Sequence, residues 1–383
     1  MIYKNYGNTD KKVSAIGFGG MRFDETRSNG ENAELLLYAF EKDINYFDTA
    51  PLYSDDRSED IFGLACYLLK DQRDKFYVST KAMPEEFNTS KKAIGAVEKS
   101  LKRLNCEKID FYHVWCVRSM AQYELAMKKG GQYEGLLKCK EKGLIDHIAI
   151  STHLRGPEVK KIVDGGHFDG ILLGMNILNF PYRWEGVKAA YDVGMGVVAM
   201  NPLSGGVIPQ NEKQLSYLAT ENETPTETAL RFCLSCPQIT VTLNGFTTKE
   251  HIDIACKAAN NCKPFSADDI NAIKAHISEN MNSLCTGCGY CMSTCPKHLA
   301  IASYMQIYNE KLMEQKHDKD MIKSVDFHHD WGLVANSDVR ADECTLCKKC
   351  EQSCTQQLEI TKRLEEIAGW ESQLKEQKKK SEK

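Results

Sequence analysis

Eight short apolar runs, each with an amphipathic segment behind it, most restrict what this chain can become. The runs are VSAIGFG (13–19), INYFD (44–48), FYVST (76–80), IDFYHVW (109–115), HIAIS (147–151), ILLGM (171–175), GVVAM (196–200) and ITVTL (239–243). Between them lie helical patterns such as NAELLLYAFEKD, SEDIFGLACYLLKD, SKKAIGAVEKSLKRL and YEGLLKCKEKG. A strand that is apolar almost throughout is covered on both faces, and strict alternation with helices implies a parallel sheet. Eight such units fit a closed (β/α)8 barrel. An open doubly wound sheet would need a G-x-G-x-x-G turn after the first strand, and GFGGMRF does not supply it.

Composition narrows the partners. The net charge of −4 over 383 residues gives no electrostatic footprint for nucleic acid. No apolar run reaches the ~18 residues of a membrane span, and MIYKNYGNTD has no apolar signal core. The expected location is therefore the cytoplasm. There, 16 cysteines favour metal binding or catalysis over disulfides. Eight of them lie scattered between Cys66 and Cys262 and read as small buried apolar residues. The lone pair Cys233 and Cys236 has no second pair nearby.

The other eight form two tight runs. CTGCGYCMSTCP holds Cys285, Cys288, Cys291 and Cys295; CTLCKKCEQSCT holds Cys344, Cys347, Cys350 and Cys354. Both obey C-x2-C-x2-C-x3-C, which resembles bacterial two-cluster ferredoxins. In that arrangement the fourth cysteine of each run serves the other cube. The resemblance implies Cys285, Cys288, Cys291 and Cys354 for one [4Fe–4S] cluster, and Cys344, Cys347, Cys350 and Cys295 for the other. Structural zinc is the competing reading, but zinc usually takes paired knuckles. The second run lacks a proline after Cys354. The His328–His329 pair between the runs reads as surface residues of an insertion.

A barrel's chemistry sits where its strands end. Asp48 ends the second run, Tyr53 follows it, Lys81 follows the third, Ser151 ends the fifth and Asn176 follows the sixth. Asp48 paired with Lys81 would place an ammonium beside the Tyr53 phenol, which favours the phenolate and suits Tyr53 to give a proton to a carbonyl oxygen.

VSAIGFGGMRF, FDTAPLYSDDRSEDIFG, VSTK, KCKEKGLIDHIAIS, MNPLSGG and LNGFTTKEHI together resemble the aldo-keto reductases over roughly residues 1–260. The two cysteine runs resemble the tail of a ferredoxin-fused branch of that family. The resemblance implies a (β/α)8 barrel followed by a small α-rich ferredoxin-like domain with two [4Fe–4S] clusters. It also implies NADP(H)-linked carbonyl chemistry and a tetrad of Asp, Tyr, Lys and His. Asp48, Tyr53 and Lys81 match the first three. Trp115 stands where the His belongs. His113 lies two residues earlier on the same face, about 6.6 Å deeper at ~3.3 Å per residue. It reads either as a core histidine or as a displaced member of the tetrad.

The family's cofactor pocket maps onto Met21, Ser151, Thr152, Pro202, Leu203, Ser204, Gly205, Gly245, Thr247, Lys249 and His251. Ser151–Thr152 replaces Ser-Asn. Leu172, Met200, Thr247 and Ala255 replace a Gln, a Tyr, an Arg and an Asn. NPLSGG and NGFTTK remain where barrels hold phosphates. Two readings follow. In one, the chain is an oxidoreductase acting on a small molecule, with a nicotinamide or a flavin at the barrel mouth and a redox partner protein for its clusters. In the other, it is an electron-transfer or scaffold protein whose barrel has lost nicotinamide catalysis. The expected boundaries are a barrel over 1–262, a linker helix over 263–283, the cluster domain over 284–365 and a frayed charged tail over 366–383.

Overall fold

The computed structural model describes residues 1–220, 222–277, 279–335 and 337–381. The chain forms two compact units. One comprises Met1–Ser204 and Leu218–Ile273; the other comprises Gly205–Tyr217 and the chain from Lys274 onward.

The first unit is a closed parallel barrel behind a short antiparallel hairpin, β1 (Tyr3–Asn5) and β2 (Lys12–Ser14). The barrel strands are β3 (Ile16–Gly19), β4 (Tyr46–Asp48), β5 (Tyr77–Ala82), β6 (Ile109–Val117), β7 (Ile145–Thr152), β8 (Gly170–Gly174), β9 (Gly196–Met200) and β10 (Val241–Gly245). They run in sequence order around the wall, and β10 closes against β3. All eight apolar runs thus become barrel strands. The first is divided: Val13 and Ser14 pair back onto the hairpin, Ala15 makes the step, and only Ile16–Gly19 enters the wall. Helices start where side chains satisfy free N–H groups. Thr89 caps Ser90–Leu104, Thr224 caps Pro225–Ser235, and Ser28 with Glu31 forms a capping box on Asn29–Glu41.

The hairpin supplies the barrel floor. Tyr6 is fully buried against Phe111 and Tyr46, at ring centroid separations of 4.1 and 6.1 Å. A Cβ on Gly170 or Gly196 would fall 2.2 or 2.3 Å from Tyr6, so those strands can start there only as glycine. Above this floor the period-2 pattern of β4, β5 and β6 aims alternate residues inward. Asp48 is paired with Ser79, and Lys81 with His113. The sheet therefore delivers a polar layer above an apolar one.

The second unit packs the helices Ile301–Glu314, Asp318–Asp330 and Ile360–Ser381 around one core containing Tyr304, Met305, Val325, Leu364 and Trp370. Residues 328 and 329 differ from expectation: they are not surface histidines. His328 Nε2 meets Glu310 Oε1 at 2.6 Å, and His329 Nε2 meets Glu371 Oε1 at 2.8 Å. Each finds a carboxylate on a neighbouring helix. The charged C-terminal segment is likewise one helix, Ile360–Ser381, that buries Trp370, Glu371 and Leu374. No helix among the described residues is long and apolar enough to cross a membrane.

Candidate active site

Asp48 is the centre of a buried polar chain at the strand ends. Its Oδ2 accepts from Lys81 Nζ, and its Oδ1 accepts from Ser79 Oγ at 2.7 Å. Ser79 Oγ also meets His113 Nε2 at 2.9 Å. A carboxylate only accepts, so Ser79 donates to Asp48 and must accept from His113; this sets the proton on Nε2. Burial, then the Lys81 charge, push the His113 imidazole well below its ordinary pKa, so the ring is neutral. Burial also pushes the Lys81 ammonium down, and Asp48 opposes it.

The Lys81 ammonium lies 5.3 Å from the Tyr53 ring centroid. Tyr53 follows Leu52, which adopts a left-handed φ of 69°. The tight loop after β4 thereby swings the phenol back over the mouth. Trp115 stands edge-on to Tyr53, with centroids 5.5 Å apart at 86°. It is 3% exposed. Two residues deeper, His113 is spent on Ser79 instead of Tyr53. The register of β6 on β7 breaks between Val114 and Val117, and Cys116 within this bulge has φ 59°. Bulges of this kind re-aim side chains beside functional sites.

The cofactor candidates fall into three groups. Ser151 and Thr152 are buried at the end of β7. The Thr152 hydroxyl is engaged by the backbone, donating to Val117 O at 3.0 Å and accepting from Leu154 N at 3.1 Å. After β9, Pro202, Leu203 and Ser204 form a tight turn with positive φ at Asn201 and Ser204. Gly205 has φ 69°, and a Cβ on it would lie 2.3 Å from Thr286 O within the second unit, so its open side is covered. At the end of β10, Gly245 is exposed. Thr247 Oγ1 meets His251 Nδ1 at 3.1 Å, and Thr248 caps Lys249–Asn260. Lys249 extends over the Tyr38 ring, and Met21 sits in the turn Gly20–Arg22. That helix N-terminus with Thr247, Lys249 and His251 is suited to a nucleotide phosphate.

The cysteines of the second unit gather across the two runs. Cys285, Cys288, Cys291 and Cys354 line one cavity with Thr286, Met305 and Leu358. Gly287 N and Leu358 N point at the sulfurs of Cys285 and Cys354, both at 3.4 Å, and Thr355 Oγ1 meets Cys288 Sγ at 3.4 Å. Four thiols in an apolar cavity with N–H groups aimed at sulfur fit a [4Fe–4S] cube. Cys295, Cys344, Cys347 and Cys350 form the other neighbourhood: Cys344 feels both Cys295 and Cys347, and Cys350 feels Cys344. The pair Cys233–Cys236 stays structural in character. Burial drives the Cys233 thiol up, and both side chains end on protein oxygens.

Ser79 is the site residue that motif reasoning passed over. Its signal was the VSTK spacing: two residues before an inward Lys on a strand, it must also point inward. The Cys116 bulge left no mark in the sequence.

Comparisons with known proteins agree with this architecture. The Aldo/keto reductase family model matches residues 15–278, and a 4Fe-4S dicluster domain model matches residues 281–358. The uncharacterized oxidoreductase YqkF of Bacillus subtilis is 25% identical over 317 residues, covering 73% of this chain and 98% of that protein. L-galactose dehydrogenase of Arabidopsis thaliana is 25% identical over 277 residues, covering 64% and 84%. An aldo-keto reductase of Bacillus halodurans, solved in its holo form, shares the fold with a TM-score of 0.61 at 23% identity. It covers 73% of this chain and 99% of its own. With a family match across well over half its length and a dicluster domain following it, the chain belongs to the aldo/keto reductase family, as an oxidoreductase fused to a 4Fe-4S dicluster domain.

Proposed function

We propose that this protein reduces a carbonyl group on a small molecule at the barrel mouth, with Tyr53 as the proton donor. The observation that carries this reading is the buried chain Lys81–Asp48–Ser79–His113 ending beneath the Tyr53 ring. The Lys81 ammonium stabilises negative charge on the phenol oxygen as the proton leaves. Asp48 holds Lys81 in place, and Ser79 with His113 holds Asp48. His113 is on this reading a positioning residue. Trp115 walls the mouth where an imidazole would otherwise bind the substrate oxygen, so proton donation falls to Tyr53 alone.

NADP(H), when bound, would supply the hydride. The candidate residues for it are Ser151 at the nicotinamide end and Thr247, Lys249 and His251 at the phosphate end; a flavin is the other candidate. Two [4Fe–4S] clusters, when held by Cys285, Cys288, Cys291 and Cys354 and by Cys344, Cys347, Cys350 and Cys295, would supply one-electron transfer. A ferredoxin or flavoprotein in the cytoplasm is the proposed redox partner.

One observation favours a second reading, an electron-transfer or scaffold protein with a silent barrel. Trp115 fills the space beside Tyr53, and the Thr152 hydroxyl is taken by backbone. Anaerobic purification followed by assay of aldehydes with NADPH and NADH separates the two. Reduction by the wild type, lost on Tyr53→Phe with the iron content unchanged, is the expected result. Iron-loaded protein that neither binds nor oxidises either nucleotide would instead establish the silent barrel.

A further inference from the structure

Two guanidiniums and an imidazole gather where β6, β7 and β8 hand over to their loops on the C-terminal face of the barrel. Arg118 follows β6 directly and His153 follows β7 directly. Arg183 sits near the start of Phe180–Asp192, the helix after β8. Arg183 is only 8% exposed. Its Nη1 donates to the carbonyls of His153 and Leu154 at 3.3 and 3.2 Å, while its Nε is buried without a partner. Arg118 repeats the pattern: Nη2 reaches Glu85 at 3.3 Å, and Nε is buried and unmatched. Both guanidiniums act on the His153 ring, and Arg155 acts on Arg183.

A brace between a helix and a loop explains the Nη1 bonds but not the rest. Neutral carbonyls do not offset a buried charge, and an orphaned donor costs free energy. Two guanidiniums with idle Nε donors beside an imidazole form a receptor for an oxyanion, which would satisfy the donors and offset the Arg155 charge that bears on Arg183. Burial, then Arg155, push Arg183 down to about 10, and burial, then Arg183 and Arg118, push His153 down to about 3. A bound anion would raise both. Nearby acids are Glu85 in the loop after β5, Glu158 in the helix after β7, and Glu185, two residues along from Arg183 and packed beside Gly156. Glu85 is engaged with Arg118 and Gln122, and Glu158 with the backbone of Arg155.

We propose that Arg118, His153 and Arg183 form a pocket for the carboxylate or phosphate end of the substrate, so that the enzyme acts on acid-bearing carbonyl compounds, a substrate class that rests on the carbonyl-reduction reading above. Arg118 stands three residues beyond Trp115, which packs edge-on against Tyr53 at the barrel mouth. The substrate would then place its carbonyl at Tyr53 and its acid group on the arginines.

The test is a binding experiment that needs no turnover. The iron-loaded protein is titrated with malonate, with inorganic phosphate and with ADP, while the His153 ring is followed by nitrogen-15 NMR. Malonate or phosphate should raise the His153 pKa, and Arg183→Gln should weaken that binding about tenfold or more. Stronger malonate binding assigns a carboxylate, stronger phosphate binding a phosphoryl group. Should Arg183→Gln fail to fold, Arg118→Gln carries the same expectation. The pocket is refuted if neither small anion moves His153, if both variants bind as the wild type does, or if ADP alone has an effect, since that would make it a cofactor contact. Because no reaction is measured, an inactive barrel that still binds malonate overturns the carbonyl reading and leaves the pocket standing.

Discussion

In the barrel, Asp48 divides its oxygens between Lys81 and Ser79, and the chain of charge ends at Tyr53 on the mouth. In the second unit, Glu310 is consumed by His328, Ser324 and Lys316, and Glu371 by His329, Tyr304 and the backbone of Ala341. Both regions bury carboxylates. The second unit closes these two networks, so each Glu ties helices together, although Arg340 and Arg363 there each keep a buried Nη1 without a partner. The barrel leaves its network with an outlet, and leaves Arg118 and Arg183 with unmet donors. Polar groups that a fold satisfies completely are structural, and buried donors it leaves unmet are where a ligand can complete the bonding.

The largest expected effect falls on the second unit's thiols. Cys291 and Cys350 lie in its core. Replacing either with alanine should cost one cluster, roughly half the iron, and much of that unit's cooperative structure, because cluster binding and folding are coupled. Iron analysis with circular dichroism reads this, and full iron content in either variant would remove that cysteine from the ligand set.

Lys81→Met comes next. It strands Asp48 in the interior, at a cost of about 3–5 kcal/mol in urea unfolding, and should lower carbonyl reduction by ~10²-fold or more. A variant as stable as the wild type would mean the barrel network is no more poised than the closed ones.

Glu310 tests the closed network by pH. Burial pushes its carboxyl up, but His328, Ser324 and Lys316 pull it down from the ordinary 4.5 to about 2. The folded value is the depressed one, so its stabilisation is complete above 4.5 and is lost as pH falls toward 2. The difference between wild type and Glu310→Gln should shrink by about 2–3 kcal/mol across that window. A constant difference from pH 6 to pH 3 would show that the bracket does not depend on charge.

Ser79→Ala should have the smallest effect, about 1–2 kcal/mol, because it unpairs Asp48 Oδ1 and His113 Nε2 while leaving the Lys81 pair intact. The informative readout is the pH profile of reduction. A shift of its limbs supports the positioning chain through Asp48, and an unshifted profile assigns Ser79 to packing alone.

Much of this was legible beforehand because it rests on periodicity and spacing. Eight βα units appear as eight strands in chain order; Asp48 ends β4 and Tyr53 follows it as expected, while Lys81 lies within β5 near its end instead of after it. What escaped depends on contacts between segments distant in sequence. The Tyr6 floor needs Gly170 and Gly196, more than 160 residues away. His328 and His329 look solvated until helices carrying Glu310 and Glu371 are laid beside them.

Sequence alone determined the class of chemistry: residue types at strand ends for the barrel, and cysteine spacing for the clusters. Tertiary structure alone decided what each group is doing. A parallel register slides neighbouring strands past one another, and only that offset reveals that His113 bonds Ser79 while Trp115 faces Tyr53. Likewise, only the meeting of three strand ends shows two arginines that each keep a buried Nε without a partner, because burial and partnership are properties of the packed chain and not of its order.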